Sequence, residues 1–362
     1  MHMNRYRIYR LAGKTGKVLR PLGRILGRNL IWSLLLLFFA YTALVKPGFL
    51  TPERILGLFC GTVLMLPVTL AMEACLRHRM VDFSMSRVAG VACLMTAALL
   101  QAPGPTRFLS GQPWNAVPVF LLAMLCGLAA GAASGSLITL GKLPASLVTF
   151  AMAQAVYGLG AAASGSSTVA GLQRSGLVQL LRGPLLVMGR ATLQGWVPLS
   201  LLLGAGVWLC CHQLLGGNRA RQRELWNAEL LGLFMVTGAA AAATGFLECI
   251  RYDMAAGSMC QGLEMKAILA VLLGGATLKD GRGHPWRTAA GTLLVQGINA
   301  ASGEFFSSRI LLLIEGVLLL VLCIREMPSG PSGQTAPGPR RRVRNRRTGS
   351  GEEEKFETHS HT

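Results

Sequence analysis

The residues able to do chemistry are few in this sequence, and they are oddly placed. Lys279, Asp280, Arg282 and His284 crowd into GGATLKDGRGHPW, between an apolar run that starts at Ala267 and a second that follows Trp286. A phosphate-cradling loop needs GxxxxGK[ST]. Here Gly275 and Gly281 are six residues apart and arginine follows, so the chain is not expected to bind nucleotide. Glu315 stands alone in RILLLIEGVLLLVLCIR. Each aliphatic residue there favours membrane insertion by about 0.3–0.6 kcal/mol, and one acid at mid-span costs about 3 kcal/mol. The segment still enters lipid, with Glu315 facing protein or water. Gln154, Tyr157, Gln296 and Asn299 interrupt other apolar runs, where they can line a polar path or bond between helices. Asp82 is expected to cap a turn rather than to bind solute, and Glu73 to sit at a membrane interface. The six histidines fall in loops, termini or span ends. No paired acids or Ser/His pair occupies membrane depth, so neither an enzyme, a metal site nor a cofactor is expected.

Such residues work only if apolar elements hold them. Of 362 residues, 52% are hydrophobic and 14% charged, where a soluble domain carries about a quarter charged. Mean hydropathy is +0.47. Apolar windows at 30–45, 55–75, 88–101, 117–140, 147–163, 197–215, 230–247, 267–276, 288–301 and 310–324 predict an all-α, polytopic membrane bundle of about ten spans. The alternation of a transmembrane barrel is missing. The third, eighth and ninth windows are short and glycine-rich. They are expected to be broken or re-entrant, which is tolerated where protein buries the backbone. Gly127, Gly131 and Gly135 repeat at small-xxx-small spacing and predict a close helix contact. Residues 177–187 read as an amphipathic segment and 248–264 as a loop. Thr51 and Pro52 suit a helix start.

The net charge of +19 is uneven: eight Lys/Arg lie in residues 1–29, and 340–347 is nearly all arginine. Ten spans put both termini on one side, with RHRM, GKL, GGNRARQRE and KDGRGHPWR. The positive-inside rule makes that side the cytosol. The expected organisation is a basic cytosolic segment 1–29, a membrane domain 30–326 and a disordered basic and acidic tail 327–362. The lipid bilayer is the natural partner of these basic ends. Nucleic acid is not, because no folded reader accompanies them. Nine scattered cysteines argue against a disulfide framework. Cys249 and Cys260 could pair across one loop, though small buried hydrophobes are the plainer reading.

Five stretches, in order, resemble the permease subunits of bacterial ABC importers of the ribose/xylose/branched-chain amino-acid type. PGFLTPERIL resembles the segment after that family's first span. VDFSMS keeps Asp82 and Ser84 of its Ile-Asp-Leu-Ser-Val-Gly. GKLPASLVTF keeps Lys142, Pro144 and Thr149, and LLGGN keeps Gly216, Gly217 and Asn218. GGATLKDGRGHPW keeps Gly274, Gly275, Leu278, Gly281, Arg282, Gly283 and Trp286. The similarity runs from 47 to 325. Two departures stand out. The family's EAA-like cytosolic helix after Gly-Gly-Asn is replaced by RARQRELWNAELLGLF, which keeps a charged, helical character. The family's glycine after Asp-x-Ser-x is lost to Ser86 or Arg87.

The resemblance implies a transport permease of the bacterial inner membrane. Its partners would be a cytosolic ABC ATPase, a periplasmic solute-binding protein and a second permease subunit, as homo- or heterodimer. The solute would be small and polar, a sugar first among the choices. Gly216, Gly217, Asn218, Arg219, Arg221, Arg223 and Glu224, with Lys279, Asp280, Gly281, Arg282 and Gly283, would form loops coupling to the ATPase. Asp82, Ser84, Thr149, Gln154, Tyr157, Gln296 and Asn299 are candidates for the translocation path. The family often has aspartate at Lys266 and lysine at Glu315, so a sign-inverted intramembrane ion pair is expected between them. The alternative is an autonomous channel or secondary transporter without an ATPase, which Glu315 favours. A subunit working only beside a second, more typical permease is a further possibility.

Overall fold

The computed structural model describes residues 30–101, 114–164, 168–173, 176–214, 227–276, 283–305 and 307–326. Eleven helices and four short strands follow in order: α1 Leu30–Val45, α2 Pro52–Arg77, α3 Met85–Leu100, α4 Ala116–Gly141, α5 Ala145–Ser164, β1 Val169–Ala170, α6 Gly176–Arg182, β2 Pro184–Met188, β3 Ala191–Gln194, α7 Trp196–Leu214, α8 Asn227–Tyr252, β4 Met254–Ala255, α9 Leu263–Leu273, α10 Pro285–Phe305 and α11 Ser308–Glu326. Each of the ten expected spans is a helix. Helices α2, α4, α5, α7 and α8 are long and apolar enough to cross a bilayer, while α1 and α3 are apolar but shorter. The chain is thus an all-α membrane bundle. The expected terminal segments, 1–29 and 327–362, lie outside the described residues.

Helix α8 is the axis of the bundle. Its alanine- and glycine-rich run 237–245 is buried throughout, with α2, α3, α4 and α7 packed around the helix. The glycine stripe of α4 makes a close approach, as its spacing predicts. A Cβ added at Gly127 would stand 2.3 Å from the Gly238 carbonyl oxygen, one at Gly131 2.1 Å from that of Phe234, and one at Gly135 3.0 Å from Leu231. As the α4 number rises the α8 number falls, so the pair is antiparallel. In lipid, where apolar surface gains nothing by leaving its solvent, such backbone proximity supplies the packing that holds helices together.

Pro67 lies within α2 and cannot donate to the Val63 carbonyl one turn back. The Ser200 hydroxyl of α7 donates to that oxygen instead, at 2.8 Å. The freed backbone group is satisfied across a helix contact, as a membrane interior requires.

Three expectations need correction. The ninth window is neither short nor broken, since α10 runs continuously from Pro285 to Phe305. Residues 177–187 do not form one amphipathic segment: α6 ends at Arg182, and Pro184–Gln194 is the β2–β3 hairpin. Its turn is Gly189–Arg190 with Gly189 at φ 64°, a conformation glycine takes without steric cost. The loop expected at 248–264 starts later, because α8 continues to Tyr252. There Asp253 ties down the segment after α5. Its carboxylate accepts from Leu172 N at 3.0 Å and pairs with Arg182 at 2.8 Å, while β1 pairs with β4.

Candidate translocation and coupling sites

The end of the bundle carrying Arg77 is stitched by charge. Glu73, expected at an interface, is buried at 2% exposure. Its Oε1 accepts from Arg77 Nη2 at 2.5 Å, one helical turn away, and its Oε2 from the Thr288 hydroxyl of α10 at 2.9 Å. Arg77 Nη2 also donates to the Gly283 carbonyl at 3.2 Å. A Cβ at Gly283 would meet Glu73 Oε1 at 2.5 Å, so a side chain there would push the Glu73 carboxylate out of its place. Burial, with the Arg77 guanidinium beside it, pushes the His78 imidazole below its ordinary range. The remaining coupling candidates, Gly216, Gly217, Asn218, Arg219, Arg221, Arg223, Glu224, Lys279, Asp280, Gly281 and Arg282, lie outside the described residues. The sequence reading missed the Glu73–Arg77 clasp. The i,i+4 acid–base spacing was legible, but its partner on α10 is 215 residues away.

Asp82, Ser84 and Thr149 come together, but as a closed knot. Asp82 is 1% exposed. Its Oδ1 accepts from Ser84 N at 2.9 Å and Ser84 Oγ at 2.6 Å, and its Oδ2 from Thr237 Oγ1 of α8 at 2.5 Å. Thr149 accepts from Phe83 N at 3.1 Å and donates towards Val81 O at 3.2 Å. The capping role expected for Asp82 is what the geometry gives, and Thr149 and Thr237 pin the non-helical segment between α2 and α3. Thr237 is ten residues into α8, about 15 Å along its axis. The segment therefore descends into the bundle, and α3 is a broken span.

A cavity of about 800 Å³ lies among α2, α8, α9 and α10, towards the end opposite Arg77. Gln296 and Asn299 line it, with Lys266 of α9, Glu248 and Arg251 of α8, and Glu53 and Arg54 of α2. Gln296 donates its amide to Met65 Sδ and lies over Gly61, where an added Cβ would stand 3.4 Å from Oε1. A second cavity of about 290 Å³ shares Met259 and Gln261 with the first and is lined by Tyr157 and Arg87. Gln154 is exposed on α5 and lines neither.

The inverted ion pair is not a contact. Glu315 is buried at 8% exposure with Oε1 lacking any hydrogen-bond partner. Lys266 acts on it electrostatically without an ion-pair contact. Lys266 faces the large cavity instead, alongside Glu248, whose Oε2 is also buried and unbonded. All nine cysteines, Cys249 and Cys260 among them, are free thiols.

Apolar helices of this length, crossing at backbone contact around broken spans and polar cavities, define a multi-pass integral membrane protein. Comparison with known proteins narrows the class. Residues 230–323 match the family described as branched-chain amino acid transport system / permease component. The autoinducer 2 import system permease protein LsrC of Yersinia pseudotuberculosis serotype O:3 (strain YPIII) is 24% identical over 276 residues, covering 74% of each chain. The protein of the same name from Yersinia pestis (strain Pestoides F) is similar to the same extent. No solved structure matches the chain. The resemblance carried by the ordered motifs is thereby borne out: the chain is similar to the transmembrane permease subunits of ABC importers.

Proposed function

We propose that this chain forms the translocation path for a small polar solute, a sugar in the first instance, across the bacterial inner membrane, driven by ATP hydrolysis on a separate cytosolic ABC ATPase. The observation that carries this is the Glu73–Arg77–Gly283–Thr288 clasp, which fastens the chain at Gly283 and the start of α10 to α2. A push from a soluble motor at this point passes into two helices that wall the 800 Å³ cavity. Alternating access then needs only rigid displacement of packed helices, the energy coming from ATP closure outside the chain. The basic end is the cytosolic end, with both termini there. The cavity with Gln296 and Asn299 faces the other side, where a solute-binding protein would deliver. A second permease subunit, like or unlike, completes the assembly, and the residues 1–29 and 327–362 are cytosolic extensions. A photo-crosslinker placed at Arg221 or Arg282 in native membranes is expected to capture an ABC ATPase. Capture of lipid alone, while a known ABC complex crosslinks under the same conditions, would overturn the coupling role. The second reading, an autonomous ion-coupled transporter, is favoured by one observation, the buried unpartnered Glu315 carboxylate.

A further inference from the structure

Arg87 is the third residue of α3, and α3 does not start at a membrane surface. A Cβ added at Gly245 of α8 would stand 2.0 Å from the Ala89 carbonyl oxygen. Gly245 is about 10 Å from the Tyr252 end of a helix about 38 Å long, so Arg87 sits within the hydrocarbon depth. The chain before α9 dips to the same level: the Met259 carbonyl lies 3.3 Å from a Cβ added at Gly90, and the chain enters α9 after Gly262 at φ 75°. Two half-helices therefore begin beside Arg87. Broken helices whose N-termini meet inside a bilayer are how membrane transporters present positive potential to a solute.

The guanidinium is only partly engaged. Its carbon lies 4.3 Å from the centre of the Tyr157 ring, and Nη1 is buried with no hydrogen-bond partner. Among the described residues it makes no ion pair. Asp82, the acid nearest in sequence, is already occupied by Ser84 and Thr237. The walls of the 290 Å³ pocket add the hydroxyls of Ser86, Thr168 and Ser258 and the amide of Gln261, and the space holds about ten waters at 30 Å³ each. An arginine in lipid normally finds an acid or a water-filled path. A guanidinium fork among hydroxyl donors, with no carboxylate on the wall among the described residues, is complementary to an oxyanion. The adjoining cavity tilts the same way: with Arg87, the cations Arg54, Arg251 and Lys266 outnumber the carboxylates Glu53 and Glu248.

We propose that the Arg87–Tyr157 pocket is an anion subsite that receives the carboxylate or phosphate group of the translocated solute. The importer then carries a small polar acid or a phosphorylated solute rather than a neutral one. This rests on the importer reading above and narrows its solute class.

The test uses the full-length chain in a maltoside detergent, titrated with inorganic phosphate or acetate against chloride at constant ionic strength, with thermal unfolding as readout. The expected result is a saturable rise in Tm with phosphate, its midpoint concentration raised at least tenfold in Arg87→Gln and partly restored in Arg87→Lys. Should Arg87→Gln fail to fold, Tyr157→Ala, which removes the ring beneath the guanidinium, is expected to weaken the response as well. An equal phosphate response in wild type and variants, or none from either anion in wild type, overturns the proposal. Native mass spectrometry of the same samples separates the other source of phosphate. A phospholipid held by wild type, lost from Arg87→Gln and displaced by phosphate would assign the pocket to lipid and overturn the solute subsite. Failure of the importer reading would appear elsewhere, as the absence of an ATPase partner, and would leave this titration unchanged.

Discussion

Substituting Gly131 by alanine adds one methyl group to the α4–α8 contact. That carbon would stand 2.1 Å from the Phe234 carbonyl oxygen and 2.7 Å from its carbon, where ordinary contact begins near 3.4 Å. The obstacle is backbone, so no rotamer change relieves it, and the helices must part by more than an ångström. Parting them also loosens Gly127 against Gly238 and Gly135 against Leu231. Overpacking of this kind costs about 1–3 kcal/mol. Gly206 of α7 has nothing within 4 Å of its added Cβ, so Gly206→Ala gains only helix propensity, about 1 kcal/mol. Both variants share that gain, so their difference isolates the contact. For a chain of this size the difference corresponds to a Tm gap of about 1–4 °C. Thermal unfolding of both in the same detergent measures it. Gly131→Ala as stable as Gly206→Ala would refute the close-packed α4–α8 seam.

Other perturbations follow from single contacts. Ser200→Ala strands the Val63 carbonyl at a cost of about 1–3 kcal/mol; in a Pro67→Ala background, which restores the helical donor, most of that cost should vanish, and a double-mutant cycle in urea will read the coupling. Glu73→Ala removes both the partner of Arg77 and the acceptor of Thr288, and should lower Tm more than Glu73→Gln, which keeps an acceptor. The two variants unfolding at one temperature would deny the clasp. His78 holds its imidazole below the ordinary range of about 6.5, so the unfolded chain takes up a proton first as pH falls. Wild type should lose more stability than His78→Gln between pH 7 and pH 5, a difference visible in paired thermal scans.

The helices were legible because ten apolar windows separated by Gly, Pro and charge leave little choice of element, and the glycines at 127, 131 and 135 announced which face of α4 packs closely. The hairpin at Pro184–Gln194 was misread as amphipathic, although Gly189 before Arg190 is a two-residue turn signal. Site residues were harder. Asp82 and Ser84, two apart, could be paired by eye, but Thr149 and Thr237 join them only through the fold. Glu73 looked interfacial because nothing local shows that Thr288 covers it. Lys266 and Glu315 suggested a pair because both reverse the charge the resemblance implies there, whereas side-chain direction sends the lysine towards the large cavity. Arg87 was visible only as a lost glycine. Its place beside Tyr157 depends on α3 starting inside the bundle, which no periodicity reveals.

The proposed function makes this chain one part of an ATP-driven machine. Its most direct test is to purify the tagged full-length protein from its native membranes in mild detergent, identify what accompanies it by mass spectrometry and measure ATP hydrolysis in the eluate. A cytosolic ABC ATPase in stoichiometric amount, with or without a second permease, and vanadate-sensitive hydrolysis are expected. The chain recovered alone and without hydrolysis, from preparations that keep a control ABC complex intact, would contradict it.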